Sequence, residues 1–407
     1  MTDPYSKKYF TRNRKRLRAL VDDDVPIIVT ANTQVQYSAD TAFPFRQDSN
    51  FWYLTGVDEP DMIYVHDGHK ETLILPKPNG VRDVFDGAIN QAEVIKRSGI
   101  ERVISHKQGM ILLKSLVKKY RHMATLLPAT ALQSLHGVMP NPARKQLIKR
   151  LRRLRAGLTF MHLGTPFAHL RSVKSNEELT AIQASIDYTI EAFQRIKPQI
   201  RQGTYEYQLE ADLTHSFNNR YAIHAYPPII ASGANATTLH YGKNRDRLKN
   251  NSQVLIDVGA EAFRGAADIT RTYATSKPAP RLREVHEAVA HLQDYALELL
   301  KPGVHMREYE VKVEKEMGRT LKHLGLLQRA TRRQIRKFYP HATSHSLGLD
   351  VHDSFDYSQA FRPGMVFTVE PGIYLPDEAI GVRIEDNVLI TEEGVRVLSK
   401  NLSRDLW

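Results

Sequence analysis

The sequence predicts an α+β protein built from an α/β domain over residues 1–170 and an α+β domain over residues 171–407. A chain of 407 residues is longer than most single hydrophobic cores, so two domains are expected. In the first part, short apolar runs alternate with helical patterns, which is typical of an α/β domain. In the second part, helices and strands come in separate blocks, which favours α+β over a doubly wound parallel sheet.

The elements of the first part follow from hydrophobic spacing. Residues 5–21 form a basic amphipathic pattern with Phe10, Leu17 and Leu20 on one side, which predicts a helix. Apolar runs bounded by Pro, Gly or Asp predict strands at Ile27–Thr30, Met62–Val65 and Thr72–Leu75, and two more near 101–105 and 124–128. Helical patterns cover 91–98, 109–119 and 142–156, and residues 157–172 are interpreted as the junction between the domains.

The second part begins with a long helix. Ser175 and Glu178 have the spacing of a capping box, and the helix they open is expected to end near Pro198. Further helices are predicted over 204–220, 281–300 and 306–325, with strand-rich segments over 226–274 and 366–391.

Composition excludes several classes of function. Apolar residues make up 42% of the chain and charged residues 25%, as in ordinary globular proteins. The lack of cysteine excludes a disulfide framework, a cysteine nucleophile and any thiolate metal site. No apolar run reaches the roughly 18 residues that span a membrane, and the N-terminus lacks the apolar core of a signal peptide. We therefore expect a cytoplasmic protein without a membrane partner.

The positive charge is concentrated in the first part of the chain. The net charge is +12, and residues 101–170 contain 13 basic residues against one acid, Glu101. In the predicted helix over 142–156, the basic residues alternate with Leu147, Leu151 and Leu154 at helical spacing. We interpret the charge as a solvated face opposite a buried one, since no nucleic-acid-binding motif accompanies it, and nucleic-acid binding as a side activity is the alternative.

Four acidic residues lie in segments that are otherwise apolar. Asp257 in LIDVGAE and Asp268 in ADITRT are 11 residues apart across two glycines, so a hairpin would place them side by side. Glu370 in VEPGIY and Glu385 in GVRIED are 15 apart and allow the same arrangement. Buried carboxylates are costly unless they are neutralised. We interpret the four acids as ligands of hard cations and not as capped or paired structural residues.

His345, in the segment SHSLGLDVHD, adds one imidazole to the four carboxylates. This donor set suits Mn²⁺, Co²⁺, Fe²⁺ or Zn²⁺. Five protein ligands are more than one catalytic ion usually binds, so the set predicts two ions about 3.5–4 Å apart with shared carboxylates. Such a pair activates a bridging water or hydroxide and polarises a scissile carbonyl, which predicts hydrolysis.

Three other histidines and one arginine lie near these motifs. A single histidine is usually structural, but His240, His341 and His352 are all in loops beside the candidate ligands, which favours acid–base or substrate contacts. Arg383 precedes Glu385 by two residues and would share its face on a strand. It either binds a substrate carboxylate or balances the acids.

Six motifs in order carry a family resemblance: IASGANATTLHYG, LIDVGAE, ADITRT, SHSLGLDVHD, VEPGIY and GVRIED. The sequence resembles the pita-bread metallopeptidases and, within them, the Xaa-Pro peptidase branch that includes aminopeptidase P. The segment FRQDSNFWYLTG (45–56) resembles the creatinase-like N-terminal domain of these enzymes. Methionine aminopeptidases share the catalytic fold but lack that domain. The resemblance implies a creatinase-like domain over 1–170 and a pita-bread catalytic domain over 171–407.

The resemblance also implies the ligands of two divalent ions, usually Mn²⁺ in this family. Asp257 would chelate one ion. Asp268 and Glu385 would bridge both ions. His345 and Glu370 would complete the second.

The remaining candidates receive roles in catalysis and substrate binding from the same resemblance. Glu370 would act as general base on the bridging hydroxide. His240 and His352 would stabilise the tetrahedral intermediate and the leaving proline. His341 and Arg383 would shape the substrate pocket.

The implied activity is metal-dependent hydrolysis of the N-terminal Xaa-Pro bond of peptides, by a homodimer or homotetramer. The alternative within the family is an Xaa-Pro dipeptidase (prolidase), which cuts only dipeptides. The alternative from another class is a non-enzymatic pita-bread protein that acts as a binding module; such relatives typically lose ligands, whereas all five candidates are present here.

Three positions bear on the substrate pocket. Ala342 stands where the family commonly has Gly, and Ser346 where the aminopeptidase P group often has Trp, so a wider pocket is expected. In some relatives an aromatic residue from a neighbouring subunit lines the pocket, and Phe85 is the candidate for that role here.

Overall fold

The computed structural model describes residues 2–130, 134–135, 137–201 and 203–407. The chain divides into two compact units, Tyr5–Leu170 and Arg171–Trp407, and the first few residues group with the second unit. Within the described residues, no helix combines the length and the apolar character needed to cross a membrane.

The first unit is a six-stranded mixed sheet with helices. The strand order is β6-β5-β4-β1-β7-β8, with β1 antiparallel to β4 and parallel to β7. Its strands are β1 (Ile27–Thr30), β4 (Ile63–His66), β5 (Glu71–Ile74), β6 (Val103–Ile104), β7 (His122–Thr125) and β8 (Thr159–His162), and a separate hairpin contains β2 (Gln36–Ser38) and β3 (Thr41–Ala42). Its helices are α1 (Lys7–Arg18), α2 (Ser49–Thr55), α3 (Gly80–Phe85), α4 (Gln91–Ser98), α5 (His106–Lys119), α6 (Ala143–Leu154) and α7 (Gly164–Ser172), which runs into the second unit.

Apolar residues of the strands and helices form the core of this unit. Ile28 and Val65 of the sheet pack with Leu113 of α5 and Leu147 and Leu151 of α6. The predicted strands and helices are confirmed to within a few residues. The segment interpreted as a junction, 157–172, contains β8 and α7. The sequence does not predict β8, because only two residues of TFMH are apolar, too few for a recognisable period.

The second unit contains several small antiparallel sheets and a long helix that packs against the strands Ala260–Ala262 and Gly265–Ala266. Its helices are α8 (Asn176–Ile196), α9 (Glu206–Asn218), α10 (Pro280–Leu299), α11 (Met306–His323) and α12 (Arg332–Phe338). Its strands are β9 (Ile223–His224), β10 (Ile229–Ser232), β11 (Gln253–Val258), β12 (Ala260–Ala262), β13 (Gly265–Ala266), β14 (Ile269–Ala274), β15 (Val366–Val369), β16 (Gly372–Leu375), β17 (Ile380–Arg383), β18 (Asp386–Ile390) and β19 (Val395–Val397). The sheets have the orders β10-β11-β14, β13-β12-β9, β15-β18-β19 and β16-β17.

The N-terminus of α8 confirms the capping box. The Ser175 hydroxyl accepts a hydrogen bond from the Glu178 backbone N–H, and the Glu178 carboxylate accepts one from the Ser175 backbone N–H. The helix ends at Ile196, two residues before Pro198. Helix α12 escapes sequence prediction because Ile335 is its only buried residue, so it shows no apolar stripe.

Candidate metal centre

The second unit contains a cavity of about 640 Å³ between the strands and the loop 341–352. All nine residues that the sequence singles out line it: Asp257, Asp268, His345, Glu370, Glu385, His240, His341, His352 and Arg383. Residues separated by up to 145 positions in sequence therefore meet on one surface.

Two antiparallel strands bring Asp257 and Asp268 together. Strand β11 pairs with β14 so that Asp257 faces Thr270, and Asp268 lies just before β14. The chain between them makes the small hairpin β12–β13 in a neighbouring sheet. Gly259 is required at this crossing, because a Cβ atom there would lie 1.7 Å from the carbonyl oxygen of Ala267. The predicted side-by-side placement arises from this pairing.

A second strand pair places Glu370 and Glu385. Strand β15 pairs with β18 so that Val369 faces Asp386, and each glutamate is the residue at the open end of this pair. The hairpin β16–β17 fills the 15-residue interval between them. Both strand pairs therefore present two carboxylates at strand ends, where side chains can enter a cavity without interrupting a sheet.

His345 adds an imidazole to the candidate ligands, next to one carboxylate from each strand pair. Its Nε2 lies 3.3 Å from Asp268 Oδ2 and 3.3 Å from Glu370 Oε1. Its backbone is tied to β15, since the backbone carbonyl of His345 accepts a hydrogen bond from Thr368 N–H at 3.0 Å. The imidazole is therefore held between one carboxylate from each strand pair.

A buried ionic cluster beneath the loop 345–353 holds this loop in place. Asp353 accepts hydrogen bonds from the Arg171 guanidinium and, at 2.6 Å, from Lys174 Nζ, and all three side chains are almost fully buried. The Asp353 backbone N–H also donates to the carbonyl of Ser346 at 2.8 Å, which closes the loop on itself. The positions of the two histidines at its ends are thereby coupled.

The carboxylates carry more negative charge than the neighbouring side chains neutralise. Burial, and then the charges of Asp268 and Glu370, raise the pKa of Glu385 well above its usual value. Burial also raises the pKa of Asp268 to about 6, against the hydrogen bond from His345. Burial opposes ionisation of Glu370 as well, but the hydrogen bond and charge of His345 lower its pKa to about 2. The site therefore has a surplus of acid that a cation would neutralise.

The donor atoms fit a divalent cation. One ligand atom each from Asp268, His345 and Glu385 lies within 4.8 Å of the others. Glu385 Oε2 accepts a hydrogen bond from Thr270 at 2.6 Å, but Oε1 is buried and has no hydrogen-bond partner among the described residues. A buried carboxylate oxygen without a hydrogen-bond partner is rare unless an ion or a water completes it. Oxygen donors with one imidazole match the ions that the sequence predicts.

The other histidines differ in their surroundings. The ring of His352 lies 4.3 Å from that of His345, and burial, with the charge of His345, lowers its pKa to about 4. His341 is 2.8 Å from the hydroxyl of Tyr374, and burial lowers its pKa. His240 faces the cavity from the segment after β10.

Arg383 balances the acids in this structure. Its Nη2 donates to Asp257 Oδ2 at 2.5 Å and its Nη1 to the Tyr374 hydroxyl at 2.8 Å. The expectation that it shares a strand face with Glu385 is wrong, because Arg383 ends β17 and Glu385 lies beyond that strand. Of the two roles considered for it, these contacts support charge balance.

Sequence reasoning missed two tyrosines and misjudged one pocket position. The Tyr226 hydroxyl donates to Asp257 Oδ1 at 2.6 Å, and Tyr374 contacts both Arg383 and His341. A tyrosine in an apolar segment carries no signal of such a contact. Ala342 lines the cavity as expected, but Ser346 is 2% exposed and is not among the lining residues. The expected effect of Ser346 on the width of the pocket is therefore not direct.

The strands, the cavity and the five convergent candidate ligands are those of a metallopeptidase of the pita-bread type. The family model for metallopeptidase family M24 matches residues 180–392, and the chain belongs to this family. The model described as the aminopeptidase P N-terminal domain matches residues 10–125. Both comparisons confirm the predicted family resemblance and the predicted α+β fold with a distinct N-terminal domain.

Named relatives match over nearly the whole chain. The Xaa-Pro aminopeptidase of Escherichia coli is 32% identical, with 96% of this chain and 93% of that protein covered. The structure of aminopeptidase P from E. coli with the inhibitor Pro-Leu has a TM-score of 0.87 at 29% identity, covering 98% of this chain and 96% of that one. Aminopeptidase PepP of Pseudomonas aeruginosa has a TM-score of 0.89 at 28% identity, covering 100% and 97%. The divalent-metal chemistry of the family therefore applies to this chain.

Proposed function

We propose that this protein is an Xaa-Pro aminopeptidase that releases the first residue of peptides with proline at the second position. The observation that carries the proposal is that one cavity is lined by all five candidate ligands, and that Glu385 Oε1 in it has no hydrogen-bond partner among the described residues. The names of the full-length relatives supply the substrate class.

Five residues would hold two divalent ions, by preference Mn²⁺. Asp257 would bind one ion, Asp268 and Glu385 would bridge, and His345 and Glu370 would bind the other. When bound, the ions would supply a water of lowered pKa and a Lewis acid for the scissile carbonyl. A histidine must be neutral to bind a metal. Metal binding would therefore displace the proton that His345 shares with Asp268 and Glu370, each 3.3 Å from its Nε2.

The side chains of this protein would handle the protons. At neutral pH Glu370, a carboxylate that lines the cavity, would accept the proton of the attacking water. His352 is neutral at that pH because burial lowers its pKa to about 4, so it can accept or donate a hydrogen bond beside the reacting carbonyl. His240 faces the same cavity. The proton on Glu370 is then available for the departing nitrogen.

The substrate class agrees with the shape and polarity of the cavity. An Xaa-Pro bond has no N–H, so a site that recognises it cannot depend on a backbone hydrogen bond at that position. Ile229, Leu239 and Val351 supply apolar surface for a proline ring next to the carboxylates. The free α-amine of a substrate is cationic and is attracted by the same carboxylates, which favours action at the N-terminus.

The cavity favours an aminopeptidase over the dipeptidase alternative. A dipeptidase needs a cationic contact for the free carboxylate of its product half. Arg383 is the only lysine or arginine among the described residues that line the cavity, and Asp257 and Tyr374 already engage it. A longer peptide makes no such demand.

Peptides of different length test this choice. We expect kcat/KM for Ala-Pro-Ala-Ala to exceed that for Ala-Pro by at least about tenfold, since the dipeptide carboxylate finds no free cation. Efficient cleavage of Ala-Pro with none of the tetrapeptide would establish the dipeptidase.

We also propose that the active protein is a homodimer or homotetramer. Helix α3 exposes Val81, Val84 and Phe85 by 68%, 81% and 82%, and three large apolar side chains together on a short helix are typical of an interface. Light scattering of the wild type and of Val84→Asp tests this, and a monomeric wild type would contradict it. The cytoplasmic location stays a prediction.

A further inference from the structure

The basic residues of the first unit are grouped on two neighbouring helices. Helices α5 and α6 contain ten lysines and arginines and no acidic residue. From residue 102 to residue 176 the chain contains no aspartate or glutamate at all. The sequence alone favours a solvated helix face, but it does not show that the two acid-free helices lie against each other.

Specific contacts set the two helices side by side. Arg150 Nη1 of α6 lies 3.4 Å from Met110 Sδ of α5, and Arg155, just after α6, donates to the carbonyl of Val117 at 3.0 Å. Both helices therefore run in the same direction. Their apolar sides are buried in the core of the unit, so their polar sides form one outer surface.

We name this surface the α5–α6 basic face. Its exposed cations are Lys107, Lys114, Lys118 and Lys119 of α5 and Lys145, Lys149, Arg150, Arg152 and Arg153 of α6. None of them forms a salt bridge within the part of the chain that the structure describes. Arg144 and Arg155 are different, because Arg144 pairs with Asp48 and Arg155 binds backbone carbonyls.

This arrangement has an electrostatic cost. Lysines four residues apart, such as Lys114 and Lys118 or Lys145 and Lys149, repel each other on a helix. The charges also affect a neighbouring group. Burial lowers the pKa of His106 at the start of α5, and the charges of Arg150 and Lys77 lower it further. The second unit, by contrast, has 31 basic and 30 acidic residues, so the excess is not a property of the whole chain.

We propose that the α5–α6 basic face binds the phosphate backbone of double-stranded DNA without sequence preference. Two parallel rows of cations, on helices whose axes lie about 8–10 Å apart, match the spacing of phosphate rows across a DNA groove of about 6–12 Å. Helix α5 is about 21 Å long, a length of duplex that carries about a dozen phosphates. Nine exposed cations outnumber the other exposed side chains of the two helices, which favours contacts to phosphates, and phosphate contacts carry no sequence information.

An anionic membrane is the other extended polyanion, and the face fits it less well. Helices that lie on membranes insert a continuous apolar side into the lipid. The apolar sides of α5 and α6 are in the core, and Ile111 and Leu154 are the only large apolar residues that these helices expose.

Fluorescence anisotropy with a labelled 24-base-pair duplex tests the proposal on the full-length, metal-loaded protein. The test variant combines Lys114→Glu, Lys149→Glu and Arg153→Glu. The matched control combines Lys7→Glu, Lys8→Glu and Lys15→Glu, which makes the same charge change on α1, the other acid-free basic helix of this unit. Retained peptidase activity and midpoint of thermal unfolding would show that both variants fold.

We expect the wild type to bind two duplexes of unrelated sequence alike, with an affinity that falls steeply between 50 and 200 mM salt. The α5–α6 variant should bind the duplex at least about tenfold more weakly, and its slope of log affinity against log salt concentration should be smaller by about 3. The affinity and the slope of the α1 variant should change little. The proposal is wrong if the wild type does not bind at 50 mM salt. It is equally wrong if the α1 variant loses the affinity, or if phosphatidylserine vesicles bind and the duplex does not.

Discussion

Each of the two units contains a local excess of charge. In the first unit the excess is positive and exposed to solvent, and in the second it is negative and buried. In the first unit, 13 cations face one acid over residues 101–170, and the cations on α5 and α6 are solvated. The second unit is nearly neutral by count, yet Asp257, Asp268 and Glu385 are buried around one cavity. Solvated charge is screened by salt and costs less than buried charge, which requires a counter-ion in contact. Net charge therefore describes a surface, and only the burial pattern reveals a metal site.

The largest effect should come from removing one buried carboxylate. We expect Glu385→Gln to lower kcat/KM for Ala-Pro-Ala-Ala by about three orders of magnitude or more, because a proposed bridging ligand is lost. Metal content should fall, and added Mn²⁺ should no longer raise the midpoint of thermal unfolding as it does in the wild type.

The control for this variant is an exposed acid of the same unit. Asp294→Asn removes a carboxylate that pairs with Arg404 at the surface, and it should leave activity and metal content unchanged. Wild-type activity in Glu385→Gln, measured by peptide hydrolysis with elemental analysis, would remove the basis of the dinuclear assignment.

A histidine that we propose to contact substrate but not metal should separate turnover from metal binding. We expect His352→Ala to lower kcat about 10²–10⁴-fold, the usual contribution of an acid–base group, while metal content stays at the wild-type level. Loss of metal from this variant would mean that His352 is a ligand and that the set of five is misassigned.

Buried and exposed ion pairs should differ in what they contribute to stability. Asp353→Asn leaves Lys174 buried without a carboxylate and Arg171 with Asp350 as its remaining partner, so we expect unfolding to become easier by about 3–5 kcal/mol. Glu378→Gln breaks the exposed pair with Arg281 and should cost less than about 1 kcal/mol. Equal costs in denaturant unfolding would contradict the distinction between buried and solvated charge.

A buried base should make stability depend on pH. Burial lowers the pKa of His286 to about 4, and its Nε2 has no hydrogen-bond partner among the described residues. The unfolded chain therefore binds more protons between pH 6.5 and 4, and stability should fall by up to about 3 kcal/mol as the pH falls through that window.

Two substitutions on one helix isolate this contribution. His286→Gln should reduce the pH dependence by the share of this one histidine, whereas His291→Gln, at an exposed position of α10, should leave it unchanged. An identical pH profile for His286→Gln and the wild type, in urea unfolding followed from pH 4 to 7, would show that His286 is not the origin.

Much of this architecture could be predicted from the sequence because the signals are local. Capping at Ser175 and Glu178, apolar runs such as Ile27–Thr30 and acids inside apolar segments each depend on a few neighbouring residues. Signals in the sequence also selected nine candidate residues, and the structure shows that all nine line one cavity.

What could not be predicted depends on contacts between distant segments. The clamp of Arg171 and Lys174 on Asp353 joins residues about 180 positions apart, and the bonds of Tyr226 and Arg383 to Asp257 join different strands. Nothing in the local sequence specifies such pairs, since the same residue types serve at the surface. The packing of α5 beside α6 is likewise a tertiary contact that the local sequence does not specify.

A titration of the chelated protein with Mn²⁺ tests the central claim most directly. Release of Ala from Ala-Pro-Ala-Ala would be followed against the number of ions bound, with Ala-Ala-Ala-Ala as the proline-free control. We expect no hydrolysis without metal, full activity as two ions per chain are bound, and little cleavage of the control peptide. Full activity in the chelated protein, or no activity with Mn²⁺, Co²⁺, Fe²⁺ or Zn²⁺, would contradict the assignment of the buried carboxylates to a catalytic metal centre.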